Sequence, residues 1–245
     1  MKAEGFRRIA DGALAVLLAP ACAACKQALD HPTAGPVCGA CWAAVAPITP
    51  PMCDRCGDPL PSWRIISLAH SRCARCRRRV SHVVRTRAIG AYEGSLRSIV
   101  HALKYDGRRS VARALADAMR RHGSEVLDGA DLCVPVPLHP LRRYSRGFNQ
   151  ADELARHLGV RRAPALKRVR RTSAQADLPE AQRHANVRGA FCVRRRVAVQ
   201  GLVVVLIDDV STTGATMDAC AQALLEAGAA EVRGLTAAKA VSRRS

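Results

Sequence analysis

Val203 to Ile207 form an unbroken β-branched and aliphatic run that stops at two adjacent acids, Asp208 and Asp209. A short apolar run closed by a turn predicts a buried strand. Next comes Val210-Ser211-Thr212-Thr213-Gly214-Ala215-Thr216, rich in hydroxyls and with one glycine, and a helical pattern runs from Met217 to Ala227. A buried strand feeding a helix through a tight loop points to an α/β architecture. Such a loop offers backbone N–H groups, hydroxyl donors and the positive end of a helix dipole, which are the parts of an anion site. The two carboxylates repel a phosphate. They suit sugar hydroxyls or a phosphate-bound Mg²⁺.

This stretch resembles the 5-phosphoribosyl 1-diphosphate (PRPP) motif of type I phosphoribosyltransferases. The resemblance implies that Asp208 and Asp209 lie by the ribose hydroxyls. It implies equally that Ser211, Thr212, Thr213, Gly214, Ala215 and Thr216 hold the 5′-phosphate. The plainer alternative is an ordinary strand–loop–helix with a polar turn.

Eight of the 11 cysteines fall in C-x2-C pairs: Cys22/Cys25, Cys38/Cys41, Cys53/Cys56 and Cys73/Cys76. Each pair can hand two thiolates to one tetrahedral ion, and two pairs complete a four-sulfur site. The intervening loops, Lys26 to Val37 and Gly57 to Arg72, hold too few apolar residues to fold without a staple. The expectation is structural Zn²⁺, two ions, supplying folding free energy. Disulfides need an oxidising compartment. A redox dithiol normally uses one pair on a βαβ scaffold, and iron–sulfur clusters use other spacings. Sequential pairing is preferred over a cross-braced arrangement, which the spacing leaves open. His31, His70 and His82 are read as surface residues. Cys133, Cys192 and Cys220 are read as plain buried thiols, and Trp42 and Trp63 as packing inside the module or stacking on a base.

Ahead of the cysteines, Arg7-Arg8, an apolar stretch and Ala19-Pro20-Ala21-Cys22 imitate a lipoprotein signal. Asp11 interrupts that stretch, and Cys22 is better used with Cys25. The expectation is a short amphipathic helix with Phe6, Ile9, Leu14, Leu17 and Leu18 inward, stopped by Pro20, on a cytoplasmic protein with no transmembrane segment. The formal net charge of +19 calls for polyanionic partners, unless it only records Arg tolerated at the surface. Arg72, Arg75, Arg77, Arg78 and Arg79 crowd the last cysteine pair, facing either thiolates, a nucleic-acid backbone or water. Hydrophobic content of 49% is ample for a core, and aromatics at 3% make that core aliphatic.

From Val83 to Gly90 the chain reads as a strand. Gly94 to Tyr105 reads as a helix with Leu96, Ile99, Val100 and Leu103 inward, and a second helix follows with Val111, Leu115, Ala118 and Met119 on one side. Lys104, in the last turn of the first helix, either reaches a phosphate or complements the helix dipole. Asp131 to Val134 reads as a buried strand that must end at Pro135-Val136-Pro137, because proline cannot donate a ladder bond. Arg146, Asn149 and Gln150 then lead into a helix from Ala151 to Leu158, as ligand contacts or as a basic loop with a helix cap. Leu166 to Val169 is a short strand. Arg170 to Arg183 shows little periodicity and is long for a loop, which favours a lid carrying Gln175 and Arg183, with Asn186 beyond it.

Taken in order, the motifs are the cysteine pairs, Leu-Lys-Tyr-x-Gly-Arg (103–108), Val-Pro-Val-Pro-Leu (134–138), Arg-Gly-Phe-Asn-Gln (146–150), Asn186-Val187-x-Gly-Ala-Phe191 and Asp-Asp-Val-x-Thr-Thr-Gly-Ala-Thr (208–216). This order resembles the ComF/GntX family over nearly the whole chain. The resemblance implies an α/β, type I phosphoribosyltransferase-like parallel sheet with helices on both faces, preceded by a small N-terminal double zinc ribbon. The implied division is an N-terminal helix at 1–20, the zinc module at 21–80 and the transferase-like domain at 81–245. It also implies PRPP or a related phosphosugar with Mg²⁺ as ligand, transfer of ribose 5-phosphate to an acceptor, and a link to competence, with single-stranded DNA and DNA-uptake machinery proteins as partners. In the rival reading the ribbons and the Arg surplus handle single-stranded DNA and the sugar-phosphate site does not turn over.

Overall fold

The computed structural model describes residues 10–14, 19–61, 71–139, 144–170 and 180–241. Four strands form a parallel sheet: β1 (Thr86–Ala91), β2 (Leu132–Pro135), β5 (Val203–Ser211) and β6 (Glu231–Lys239), in the order β1-β6-β5-β2. β3 (Leu166–Arg168) and β4 (Phe191–Val193) pair antiparallel as a separate small sheet. The labelled helices are α1 (Gly39–Ala43), α2 (Ala74–Arg78), α3 (Gly94–Lys104), α4 (Val111–His122), α5 (Ser124–Leu127), α6 (Gln150–Ala155), α7 (Glu180–Val187) and α8 (Ala215–Glu226).

β5 lies inside the sheet, and its period of two sends alternate residues to opposite faces. Val205 and Ile207 join a core with Ile99 and Leu103 of α3, Leu115 and Met119 of α4 and Leu154 of α6. Val204 and Leu206 join a second core with Met217, Cys220 and Leu224 of α8 and with Leu166 and Phe191 of the small sheet. Helices therefore cover both faces. This explains why β5 reads as a continuous apolar run, as strands of a doubly covered parallel sheet do. The inward sides of α3 and α4 are those that the periodicity predicts, and all eight residues named for them are buried.

β2 ends where its prolines require. Pro135 lies opposite Ile207, and the Val136 N–H still reaches the Ile207 carbonyl at 2.9 Å before the chain leaves the sheet. Several boundaries differ from those expected. β1 starts at Thr86. α8 starts two residues early, at Ala215, and α6 stops at Ala155, where the chain turns. The larger correction is at Arg183. It sits on α7, whose hydrophobic side is only Ala and Val, too weak a periodic signal to separate from a loop. Gln175 lies outside the described residues, as do Trp63, His70 and most of the N-terminal helix. Asp11, read as an interruption, is buried, and its Oδ1 accepts from the Thr33 N–H at 2.8 Å. Cys133 and Cys220 are buried as expected, whereas Cys192 is only half-buried.

The cysteine pairs fold back on the sheet. Cys22, Leu29 and Val37 belong to the same core as α3 and α4, with Trp42 and Val45 packed against it. Between the two halves of the cysteine module, the chain runs beside β1: Ile48 N–H donates to the Ile89 carbonyl at 3.0 Å, and Pro47 bridges Gly90. A Cβ on Gly90 would lie 2.4 Å from the Ala46 carbonyl oxygen, so this close approach requires glycine.

Candidate functional site

The eight paired cysteines assemble into two groups, Cys22/Cys25/Cys38/Cys41 and Cys53/Cys56/Cys73/Cys76. This is the sequential pairing. Within each group the Sγ atoms all lie within 4.8 Å of one another, and recorded separations are 3.9 Å (Cys22–Cys41), 3.8 Å (Cys25–Cys38) and 3.7 Å (Cys56–Cys73). A tetrahedron with Zn–S bonds of about 2.3 Å has S···S edges of about 3.8 Å, so the donor set fits zinc. The crowding also splits the thiols. Cys53 is pushed down by the Cys56, Cys73 and Cys76 side chains donating to it, and Cys76 is pushed up by donating to Cys53. The Cys38 and Cys73 N–H groups each donate to the first sulfur of the preceding pair at 3.3 Å, as outer contacts that orient a thiolate ligand do.

The second centre of interest lies at the carboxyl end of β5. Asp208 and Asp209 are its sixth and seventh residues and so point to opposite faces. Asp209 Oδ1 is 3.0 Å from Lys104 Nζ at the end of α3, with both side chains 13% exposed. Lys104 also lies over the Tyr92 ring, 5.5 Å from its centroid. Asp208 Oδ1 accepts from the Asp209 N–H at 2.9 Å. Burial pushes the Asp208 carboxyl up to about 7, and the Asp209 charge adds to the rise. The Asp209 N–H, Lys104 and Arg168 oppose it.

Beyond the acids, Ser211 closes the strand and Thr212-Thr213-Gly214 form the turn into α8. Gly214 is the N-cap at φ 79°, a left-handed conformation that glycine adopts without strain. Thr213 Oγ1 accepts from the Ala215 N–H at 3.4 Å. The Thr212, Thr213 and Gly214 N–H groups have no acceptor among the described residues. A 12-residue helix thus starts from three open donors one residue past the strand's end.

The loop after β2 is held from behind. Asn149 caps α6 by accepting from the Ala151 N–H at 3.1 Å and donates its amide to the Val136 carbonyl at 3.0 Å, fixing the Pro135-Val136-Pro137 turn. Gln150 is buried, its Oε1 accepts from Arg146 at 3.1 Å, and its Nε2 has no partner among the described residues. The Arg146 guanidinium stacks on the Tyr105 ring at 4.7 Å. Together Lys104, Tyr105, Gly107, Ser145, Arg146 and Phe148 line an open cleft of about 470 Å³. Lys104 joins this cleft to the acid pair.

The structure thus brings Asp208, Asp209, Lys104 and the Ser211–Thr216 loop to one end of the sheet, with the proline turn after β2 on the neighbouring strand. Three contributors have no motif of their own. Arg168 acts on Asp208 from β3, Lys239 lies opposite Ser211 on β6, and Tyr92 follows β1. No pattern singles out Lys239, because β6 also carries Glu231, Arg233 and Thr236.

Comparison with known proteins agrees with this arrangement. A double zinc ribbon domain model matches residues 13–77, and a phosphoribosyl transferase domain model matches residues 144–245. The two cysteine groups are accordingly structural zinc ribbons. The DNA utilization protein YhgH of Salmonella typhimurium is 35% identical over 209 residues, covering 80% of this chain and 87% of the relative. Competence protein F of Haemophilus influenzae is 28% identical over 233 residues, covering 86% and 93%. Competence protein ComFC of Bacillus subtilis is 28% identical over 201 residues, covering 79% and 80%. No helix among the described residues is long and apolar enough to cross a membrane. With ribbons, parallel sheet and acid-pair loop in one chain, and relatives matched over most of their length, this protein belongs to the ComF family, in which a double zinc ribbon is joined to a phosphoribosyltransferase-like domain.

Proposed function

We propose that the carboxyl end of β5 binds PRPP with Mg²⁺ in a cytoplasmic protein. The observation that carries this reading is the set of three open N–H groups at the start of α8, one residue beyond a strand ending in a lysine-held acid pair. Ser211, Thr212, Thr213, Gly214, Ala215 and Thr216 would surround the 5′-phosphate, where backbone donors and the helix dipole favour an anion. Asp208 and Asp209 would accept from the ribose hydroxyls. Pro135, Val136 and Pro137, with Arg146, Asn149 and Gln150, would form the diphosphate side, and Gln175 and Arg183 the lid. Mg²⁺ would arrive with the diphosphate and offset its charge.

Transfer of ribose 5-phosphate completes the reading. Diphosphate leaves the anomeric carbon as an acceptor atom bonds to it, and the fixed donors stabilise the departing charge. The names of the relatives tie the activity to DNA utilisation and competence. The domain division at residues 20 and 80 belongs to the same proposal.

A second reading has its own observation. Arg72, Arg77, Arg78 and Arg79 are exposed beside the last cysteine pair, three of them on or just past α2. This is a surface suited to the backbone of single-stranded DNA, delivered by uptake-machinery proteins. One experiment separates the two. PRPP with Mg²⁺ should raise the melting temperature of the wild type. Asp208→Ala with Asp209→Ala should abolish that rise and leave salt-dependent oligonucleotide binding intact. A wild type unmoved by millimolar PRPP and Mg²⁺ would sink the PRPP reading.

A further inference from the structure

Lys239 is the least exposed cation of the sheet, at 2%, and nothing in the proposed chemistry uses it. It ends β6 with Ser211 of β5 as one neighbour and Ala91 of β1 as the other. The Ser211 carbonyl accepts from the Ala240 N–H at 2.8 Å, and the Lys239 carbonyl accepts from the Tyr92 N–H at 2.7 Å, so the backbone around the lysine is fixed to both strand ends. Its side chain leaves the sheet for the second ribbon, where Nζ lies 3.2 Å from Asp58 Oδ1. That oxygen accepts no hydrogen bond, so the contact is one of charge. Asp58 Oδ2 takes Arg75 at 2.8 Å, and Arg75 is itself 4.0 Å from Cys56 Sγ. A continuous path of charges therefore runs from a zinc ligand through Arg75, Asp58 and Lys239 to the strand end that opens the phosphate loop.

A second tie reaches the same loop from its other side. Asp218, in the first turn of α8, accepts from the Ser81 hydroxyl at 2.9 Å and from the His82 N–H at 2.7 Å through Oδ1. His82 Nδ1 also lies 3.4 Å from its Oδ2. Ser81 and His82 follow α2, which carries Cys76. Between these two ties lies a small cavity lined by Cys56, Arg75 and Cys76 on the ribbon side and by Ser211, Thr213, Gly214 and Lys239 on the loop side.

From this juxtaposition we infer that Lys239 and Asp58 are positioning residues, through which the second zinc ribbon holds the phosphate loop in its open-donor geometry. A Zn²⁺ with four thiolates carries two net negative charges. Arg75 and Lys239 are cations on either side of Asp58, so a filled ribbon draws the lysine away from the loop and fixes it. Loss of that ion frees the four ligands and slackens the segment that leads to Ser81 and His82. Among the described residues the first ribbon makes no such contact: its ties run to α3 and to the turn after it, through Ser95 to the Cys41 carbonyl and Lys26 to Asp106.

The inference rests on the proposed phosphosugar site for its consequence, not for its physics, so the test has two arms. In full-length, zinc-loaded protein without ligand, hydrogen exchange at Ala215 and Asp218, whose N–H groups donate to Thr213 Oγ1 and the Gly214 carbonyl, should rise about tenfold in Asp58→Asn and in Lys239→Met. Exchange at β2 should stay unchanged, and zinc should remain at two per chain. The double variant should add little to either single change, because both break one path. With ribose 5-phosphate as probe, the same variants should bind about tenfold more weakly. Wild-type exchange rates at Ala215 and Asp218 in a folded Asp58→Asn protein would overturn the inference. Faster exchange in the variants together with no ribose 5-phosphate binding by the wild type would uphold it and sink the phosphosugar reading instead.

Discussion

The two zinc ribbons have the same ligands and nearly the same spacing, yet they are joined to the molecule by different forces. The first is an extension of the core. Cys22, Leu29 and Val37 are buried with α3 and α4, and its polar ties are peripheral. Among the described residues the second contributes none to that core and is held by charge and backbone: Asp58 to Lys239, the Thr86 N–H to the Arg55 carbonyl, and Arg87 to the Asp54 carbonyl. Apolar joints are non-directional and scale with area. Charged joints depend on each partner being present, because removing one leaves the other buried and uncompensated. A repeated motif therefore became a structural wedge in one copy and a contact with the phosphate loop in the other.

Removing a zinc should give the largest contrast. A structural zinc contributes about 10–16 kcal/mol of apparent binding free energy, comparable with a whole domain's stability of about 5–15 kcal/mol. Cys22→Ser should lose one zinc and, with it, cooperative melting of the α3–α4 core. Cys53→Ser should lose one zinc and still melt cooperatively at a lower temperature. Zinc content and calorimetry check both, and identical melting would erase the distinction between the two joints.

Next in size is the buried ion pair. Asp58→Asn strands Lys239 and should cost about 3–5 kcal/mol. Lys26→Ala breaks the Lys26–Asp106 pair of the first ribbon, whose separation is 2.7 Å but whose lysine is largely exposed, and should cost under about 1 kcal/mol. Urea titration of the two variants measures the gap, and equal costs would mean that burial is not what separates them.

Between those values lies Gly90→Ala, which drives a Cβ into the Ala46 carbonyl where the inter-ribbon segment meets β1. Overpacking of this kind costs about 1–3 kcal/mol. Because the backbone on both sides is tied, the loss should appear as a lower urea midpoint with unchanged zinc content.

The last contrast concerns Asp208 and sets the site apart from both ribbons through its pH dependence. Its folded pKa lies above the unfolded value. The protonated carboxyl therefore contributes its full stability below pH ~4, and that contribution is lost as pH rises through about 7. Asp208→Asn should raise the melting temperature at pH 8 and change it by almost nothing at pH 4. A gain independent of pH would mean that desolvation of the carboxylate is not its cause.

Much of the site was legible in the sequence because its parts are local. Val203 to Thr216 carries strand, acids, turn and helix start in one continuous segment, so propensity and periodicity act on neighbours. The cysteine spacings are local too, and they anticipated the two groups in their sequential pairing. Arg183 on α7 was not legible, since an Ala/Val helix face resembles a loop in its periodicity. Arg168 beside Asp208 was missed because a lone arginine on a three-residue strand carries no pattern.

By itself, then, the sequence determined an α/β architecture, the two four-cysteine centres and the acid-pair loop. Each follows from side-chain type at fixed short spacing, which the backbone geometry of strands, turns and helices translates directly. Only the tertiary structure decided how the parts meet. Lys104 reaches Asp209 across 105 positions and Lys239 reaches Asp58 across 181. Such contacts depend on which strand ends lie side by side. That order is set by burying two apolar faces at once, and no local pattern records it.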